Sequence, residues 1–281
     1  MGKSKMKKAY IVILIVLSII GCSKDPIDAD IMLVKKSDGY YHKETDKPYS
    51  GPVYTTFANG KTKHKGTIKK GEYDGLVTFW HENGQKKSEG IYIEGISNGI
   101  SSYWHSNGQL RMKGSYKRFE YDGIWNSWFP DGKLENKFTY TYGKRDGFFT
   151  EWYGNGQKKR VGKFVNDKAD SVWTEWFESG QTRDHGKFIR GKQEGTWTSW
   201  HENGQKQREG QYVSGEQQGL WTAWYENGRK SAESGYSKGE LDGSSIGWTE
   251  DGKLESEALF KNGRLEGFFK NGQLVKIKTN N

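Results

Sequence analysis

The sequence repeats itself every 24 residues, and this period constrains the fold more than any other feature. Turn-forming pairs, mostly Asn-Gly, recur at that interval from Asn59-Gly60 to Asp251-Gly252, which gives nine units without an insertion. A fixed period of this length is typical of proteins that stack one small unit many times. One column of the repeat is tryptophan in eight successive units: Trp80, Trp104, Trp128, Trp152, Trp176, Trp200, Trp224 and Trp248.

Each unit has the composition of two short strands. The residues between Gly75 and Asn83 are rich in apolar and aromatic types and in Thr, which favours a strand. Asn83-Gly84 indicates a type I′ hairpin turn, in which both central residues have positive φ. The chain returns through Tyr92 and reaches a Gly-x-x-x-Gly segment, 95–99, which we expect to form a loop. The sequence therefore predicts an all-β, elongated antiparallel meander of β-hairpin repeats.

Alternation along a strand assigns the columns to two faces of the sheet. The columns of Leu76 and Trp80 fall on one face, and we interpret the constant tryptophans as structural. The column of Val77 falls on the other face and carries additional rings in the middle and C-terminal units. We expect that second face to contact a ligand or a partner. The candidate contact residues are Trp125, Trp173, Trp197 and Trp221.

The composition limits what can form the core. Hydrophobic residues make up 32% of the chain and aromatic residues 15%, so the core must be built largely from rings. Twelve Trp argue against disorder, and a single Cys excludes an internal disulfide.

The N-terminus has the layout of a secretory signal. A basic segment, 3–8, precedes an apolar stretch from Ala9 to Leu17 that is too short to cross a bilayer as a helix. Ile19-Ile20-Gly21-Cys22 resembles the bacterial lipobox, in which the Cys is acylated after cleavage. The sequence thus predicts a signal peptide at 1–21, lipidated Cys22 and a tether at 22–38. The repeat domain is expected at 39–274 and a C-terminal tail at 275–281.

Location and charge follow from this interpretation. Cleavage removes four lysines from a chain whose formal net charge is +9, so the mature protein is only modestly basic and nucleic acid is not expected as a partner. Ser23 after the Cys favours sorting to the outer membrane or the cell surface over the inner membrane. The membrane is therefore an expected partner, through the lipid anchor.

The motif Gly90-x-Tyr92-x-x-Gly95-x-x-x-Gly99, after Asn83-Gly84-Gln85, resembles the bacterial variant of the membrane occupation and recognition nexus (MORN) repeat. That resemblance covers about residues 50–274. It implies a β-hairpin scaffold used beside a membrane or a partner protein, without catalysis or a cofactor. The entry segment 47–54 resembles that of the YwqK-type proteins, which are commonly classed as antitoxins.

Two columns of the repeat contain residue types that occur in catalytic and metal sites. His81, His105 and His201 share a column with Phe129 and Phe177, which indicates a position for a flat ring rather than for a metal ligand or catalyst. The acidic column that includes Asp170 precedes a turn glycine, where we expect hydrogen bonding to its own backbone. Basic residues after each Asn-Gly are interpreted as a solvated edge. We predict no catalytic residue and no metal site.

The function that the sequence favours is a non-enzymatic, membrane-anchored lipoprotein that acts as a protein-binding scaffold in the bacterial cell envelope. Two alternatives remain open. One is an antitoxin or immunity protein that neutralises a cognate toxin. The other is a cell-wall or glycan-binding module, in which exposed rings stack on sugars.

Overall fold

The computed structural model describes residues 24–270 and 273–276. The predicted signal peptide and the predicted lipidation site, Cys22, lie outside the described residues, as does 277–281 of the predicted tail. Within the described part of the chain, no helix is long and apolar enough to cross a membrane.

The chain forms short strands with one helical turn near its N-terminal end. The first elements are β1 (Ile27–Asp28), α1 (Ala29–Met32), β2 (Leu33–Lys36) and β3 (Gly39–His42). The repeat strands are β4 (Gly51–Thr56), β5 (Thr62–Lys69), β6 (Glu72–Tyr73), β7 (Gly75–Trp80), β8 (Lys86–Ile93), β9 (Ile96–Trp104), β10 (Leu110–Lys117), β11 (Glu120–Trp128), β12 (Leu134–Thr141), β13 (Lys144–Arg145), β14 (Gly147–Trp152), β15 (Lys158–Val165), β16 (Lys168–Trp176), β17 (Thr182–Ile189), β18 (Lys192–Trp200), β19 (Lys206–Val213), β20 (Glu216–Trp224), β21 (Lys230–Ser237), β22 (Glu240–Trp248), β23 (Leu254–Lys261), β24 (Arg264–Lys270) and β25 (Gln273–Lys276).

The repeat strands make one continuous sheet. The sheet has 23 strands, and from β4 onward each strand pairs antiparallel with its neighbours in the chain. β6 and β7 both pair with β5, so they are two parts of one interrupted strand, and β13 and β14 are related to β12 in the same way. This order confirms the predicted all-β meander of hairpins.

The N-terminal segment covers the first edge of the sheet. β1 pairs parallel with β4, and β2 and β3 form a separate hairpin. Leu33 is buried against Tyr49, Val53 and Ile68 in a small apolar cluster. Much of the segment predicted to be a tether is therefore folded, because Leu33 has an apolar surface to bury against.

The Asn-Gly turns differ from the predicted type I′ turn. Gly84 has φ 95°, but Asn83 does not take a positive φ. The N–H of Gly84 donates to the carbonyl of His81 at 2.9 Å, and the N–H of His81 donates to the carbonyl of Gln85 at 2.8 Å. This is a type I turn followed by a left-handed glycine. The prediction was wrong because Asn83 Oδ1 accepts from the N–H of Gln85 at 3.0 Å and closes the turn with its side chain.

Two-residue turns with the type I′ signature lie at the opposite edge of the sheet. Glu94 and Gly95 have φ 49° and 73°, and the flanking Ile93 and Ile96 are paired. The predicted five-residue loop is therefore a two-residue turn followed directly by β9. Gly99, with φ 119°, lies inside β9 where the register with β8 shifts, so it marks a β-bulge rather than the end of a loop.

The sheet has two unlike faces. We call the face of the Val77 and Tyr92 columns the inner face and the face of the Leu76 and Trp80 columns the outer face. Val77 is 1% exposed, whereas Leu76 is 56% exposed. Aromatic rings of the inner face contact one another through most units, with centroids 4.5 to 6.5 Å apart along the row. This ring ladder comprises Tyr116, Tyr121, Trp125, Phe138, Tyr140, Phe149, Phe164, Trp173, Phe188, Trp197, Tyr212, Trp221 and Tyr236.

Candidate interaction surface

The predicted contact tryptophans belong to the ring ladder. Trp125, Trp173 and Trp221 are 3%, 6% and 5% exposed, and Trp197 is half-buried. A glycine lies under each of these indoles, eleven residues earlier in the chain. A Cβ atom added to Gly186 would overlap the ring of Trp197, and the other three pairs are alike. The ladder therefore depends on glycine in one strand and tryptophan in the next.

Hydrogen bonds fix the orientation of the indoles. Nε1 of Trp125 donates to the carbonyl of Ser115 at 2.9 Å, and Nε1 of Trp221 donates to that of Gln211 at 3.1 Å. Trp173 and Trp197 also donate to backbone carbonyls, at 3.1 Å. These polar atoms are satisfied within the chain. The contact role of the four tryptophans stays a prediction, and Trp197 presents the most surface for it.

The histidine column links successive units. His81, His105 and His201 each place Nε2 at 3.2, 2.9 and 2.8 Å from the backbone carbonyl of the constant tryptophan in the next unit. The hydroxyls of Tyr153 and Tyr225 donate to the equivalent carbonyls in their next units, those of Trp176 and Trp248, at 2.8 Å. A ring with a donor at its tip therefore serves as a bridge between turns.

The acidic column also connects neighbouring units. The carboxylate of Asp170 accepts from the N–H of Arg190 at 3.2 Å, and that of Glu194 accepts from the N–H of Ser214 at 2.8 Å. The carboxylates therefore accept hydrogen bonds from the turn of the next unit, whereas the sequence predicted hydrogen bonds within their own turn. Among the residues described, no cluster of His, Cys, Asp and Glu has a geometry for metal binding.

Charged side chains cover the ring ladder in the middle units. Glu151 accepts from Lys159 at 2.9 Å and from Arg160 at 2.8 Å. Burial alone would raise the pKa of Glu151, but the hydrogen bonds and charges of these two cations outweigh it and hold that pKa below its ordinary value. The covering charges are therefore neutralised in pairs.

The next unit repeats this arrangement with a different set of side chains. Arg183 pairs with Glu175 and with Asp184, which also accepts from the hydroxyl of Ser199 at 2.6 Å. The hydrogen bond to Asp184 and the adjacent carboxylates raise the pKa of Arg183.

A recess of about 400 Å³ opens where this cover ends. The column that holds Glu151 and Glu175 continues as Ser199 and Ala223, whose short side chains leave Trp197 and Tyr212 partly exposed. Trp197, Tyr212 and Trp221 line it together with Arg208 and Gln193, and the covering charges Glu175, Arg183 and Asp184 form part of its wall. We call this feature the inner recess.

Arg208 is the distinctive group of the inner recess. Its guanidinium lies over the indole of Trp221, 4.4 Å from the ring centroid. Within the described part of the chain it forms no ion pair, in contrast to Arg160 and Arg183. Arg208 does not stand out in the sequence, because the repeat draws attention to its constant columns. The recess arises where two variable columns change, one to small residues and the other to Arg.

The basic residues after Asn-Gly are mostly paired locally. Lys86 and Lys206 bind Glu89 and Glu209 at 2.6 and 2.7 Å, and their ammonium groups also lie over constant tryptophans of the outer face. This arrangement favours the interpretation of the edge as a solvated charge pattern.

Comparison with known proteins finds a family model that several of these units resemble. A family model described as the MORN repeat variant matches residues 73–94, 97–118, 121–142, 193–214 and 241–262. A search of the curated proteins found no match to this chain. The solved structure titled "Crystal Structure of TcdB2-TccC3" aligns at 9% identity and TM-score 0.19, over 80% of this chain and 18% of that much longer one. The five matched segments share the 24-residue phase of the sequence, so these units are similar to the MORN repeat variant.

Proposed function

We propose that this protein is a non-enzymatic scaffold of the bacterial cell envelope that is anchored through lipidated Cys22 and binds another protein at the inner recess. MORN repeats of this kind favour a scaffold role. The observation that carries the proposal is the inner recess, where Trp197 and Tyr212 are partly exposed beside an arginine that forms no ion pair within the described part of the chain.

The side chains of the recess are the types that dominate protein interfaces. Trp, Tyr and Arg supply most of the binding free energy at such surfaces, particularly around a well-packed centre. Trp197, Tyr212 and Arg208 lie together here, and the rings of Trp197 and Tyr212 pack edge to face with centroids 6.2 Å apart. A partner side chain with an apolar body and a carboxylate fits this arrangement, because Arg208 supplies donors beside a ring surface.

A protein is favoured over a glycan by the packing of the indoles. Stacking on sugars requires a row of open ring faces, and three of the four predicted contact tryptophans are less than a tenth exposed. The recess instead combines one half-buried indole with several charged groups, which is a mixed surface of the kind that proteins bind.

The test is affinity capture of the full chain, extracted from the envelope in mild detergent. The variant Arg208→Glu should lose a stoichiometric protein partner that the unchanged chain retains. Arg111→Glu is the matched control, because Arg111 also lies over a ring, that of Tyr103, but far from the recess. If both variants captured the partner protein equally, the inner recess would be rejected as its binding site. If the chain were retained on polysaccharide resin and captured no protein, the glycan alternative would be supported. A captured toxin would identify the role as immunity.

Anchoring has its own test. Metabolic labelling with an alkyne fatty acid should label the unchanged chain and leave Cys22→Ala unlabelled. Equal labelling of the two would place the lipid elsewhere, and an unlabelled native chain would remove the anchor from the proposal.

A further inference from the structure

The outer face carries a row of apolar side chains that are open to solvent. One lies in each of six units: Leu76, Ile100, Ile124, Phe148, Val172 and Leu220, which are 56%, 57%, 53%, 74%, 53% and 58% exposed. We call this row the outer stripe. It is unbroken from Leu76 to Val172, and Thr196 interrupts it before Leu220.

The backbone of each unit turns the stripe residue outward. Ile100, Ile124 and Val172 each follow a residue with positive φ, at 119°, 71° and 63°, where the strand bulges. Folding does not require an apolar residue at such a position, because the side chain stays outside the core. Residue type and exposure do not match on this face: Leu76 is apolar and 56% exposed, whereas Thr78, two residues later, is polar and 7% exposed. A contiguous apolar row on a soluble surface indicates a site of interaction.

The spacing of the stripe matches an α-helix that crosses the strands. Stripe residues of successive units lie two strands apart, which corresponds to about 9.6 Å. Seven residues of α-helix rise about 10.5 Å, so a helix lying along the stripe places every seventh residue near one stripe residue. Across the four units from Ile100 to Val172 the mismatch sums to only about 3 Å, less than the length of one apolar side chain.

Lysines flank the middle of the stripe. Phe148 is paired across the sheet with Lys163, and Val172 with Lys187. Neither ammonium forms an ion pair within the residues described. Two carboxylates lie opposite them on the next strands, Asp170 across from Lys163 and Glu194 across from Lys187. Each carboxylate accepts a backbone N–H of the next turn instead, at 3.2 and 2.8 Å. An acidic group on whatever covers the stripe therefore meets two lysines that form no ion pair in the described part of the chain.

We propose that the outer stripe between Ile100 and Val172 binds an amphipathic α-helix of a partner protein. The helix carries apolar residues at intervals of seven, with acidic residues on the side that meets Lys163 and Lys187. This inference rests on the protein-binding function proposed above, and it adds a second surface, on the opposite face from the inner recess, together with the chemistry of its occupant.

Site-specific photo-crosslinking of the full chain in cells tests the inference. The variant Phe148→benzoylphenylalanine should give a protein adduct at least tenfold above that of Ser179→benzoylphenylalanine, a control at the exposed Asn-Gly edge. Peptide mapping should place the adduct in a segment with the seven-residue apolar period and acidic flank. Adding Lys163→Glu and Lys187→Glu together should lower the adduct at least fivefold, whereas Lys65→Glu, on the same face of the first unit, should leave it unchanged.

Several outcomes would overturn the inference: no adduct above the Ser179 control, an adduct with a second copy of this chain or with lipid, or a partner segment without the period. Insensitivity to the two lysine changes would also overturn it. A parallel variant, Arg208→benzoylphenylalanine, separates this failure from that of the proposed function. A protein adduct from position 208 but not from position 148 would support the proposed function and overturn this inference. The absence of a protein adduct at both positions would overturn the two proposals together.

Discussion

Replacing Gly186 by Ala should destabilise the protein because the indole of Trp197 occupies the space that a Cβ atom needs. Gly186 lies on β17, and three ring atoms of Trp197 stand within overlap distance of that Cβ position. The φ of Gly186 is not positive, so the backbone accepts Ala and only the ring stands in the way. This separates packing from the conformational role that glycine has in the turns.

The expected loss is about 2 kcal/mol of unfolding free energy, within the range of about 1 to 3 kcal/mol for overpacked cores. The ring has little freedom to move away, because its Nε1 donates to the carbonyl of Lys187 at 3.1 Å and Phe188 packs against it with centroids 5.0 Å apart. Gly154→Ala is the matched control. Nothing lies within 4 Å of its added Cβ, so we expect a change below about 0.5 kcal/mol.

Urea unfolding followed by far-UV circular dichroism measures both variants against the unchanged chain. A double-mutant cycle with Trp197→Ser adds the decisive comparison, because it removes the ring that the added Cβ would overlap and leaves a small side chain whose hydroxyl can rotate. With Trp197→Ser already in place, the added methyl should cost less than about 0.5 kcal/mol. Stability of Gly186→Ala equal to that of Gly154→Ala would refute the reasoning. So would a full penalty in the chain that carries Trp197→Ser, since the strain would then not come from the ring.

Three further predictions concern a hydrogen bond between units, a buried histidine and the repeat as a structural unit. Asn203→Ala should lower the free energy of unfolding in urea by about 1 kcal/mol, because it removes the hydrogen bond from the side-chain amide to the Glu226 carbonyl. Ser179→Asn should raise the free energy of unfolding by forming the equivalent hydrogen bond, and no change in either variant would refute this. Burial lowers the pKa of His64, so the stability that neutral His64 contributes is present above about pH 6.5 and is lost as the pH falls through the lowered pKa. His64→Phe should therefore reduce the loss of thermal stability at acid pH, and an unchanged dependence of the melting temperature on pH would contradict this. Deleting residues 121–144, one full period, should leave a folded sheet by circular dichroism, whereas deleting 121–132 should unfold it; equal folding of the two would count against the repeat as the structural unit.

The sequence was sufficient for the architecture of the repeat region because its strands contact their neighbours in the chain. From β7 onward each full-length strand pairs with the full-length strands before and after it, so the strand order follows from the repeat alone. A period and a turn signal then fix the order of strands. The predicted separation of Leu76 and Val77 onto two faces followed from alternation alone and agrees with their exposures of 56% and 1%.

The turn geometry was not predictable from residue types in the same way. Asn-Gly supports both a type I′ turn and a type I turn with a left-handed glycine. The choice depends on the side chain of Asn83, which bonds Gln85 in its own turn and the Ser106 carbonyl in the next unit. That second bond exists only once the sheet has formed. Likewise, the folding of residues 27–33, within the predicted tether at 22–38, could not be predicted from the sequence because their partners, such as Tyr49 and Ile68, lie well beyond them in the chain.

The regularity that makes the fold predictable hides its function. Columns that repeat without exception, such as the constant tryptophan, are those that hold one unit to the next, and a binding site built from them would be present in every unit. A specific partner needs a place that differs from the rest of the ribbon. The inner recess is such a place, because Ser199 and Ala223 stand in the column that holds Glu151 and Glu175 earlier in the sheet. Specificity in this protein is therefore expected where the repeat changes rather than where it holds, and Arg208 is a better first target for mutation than any constant tryptophan.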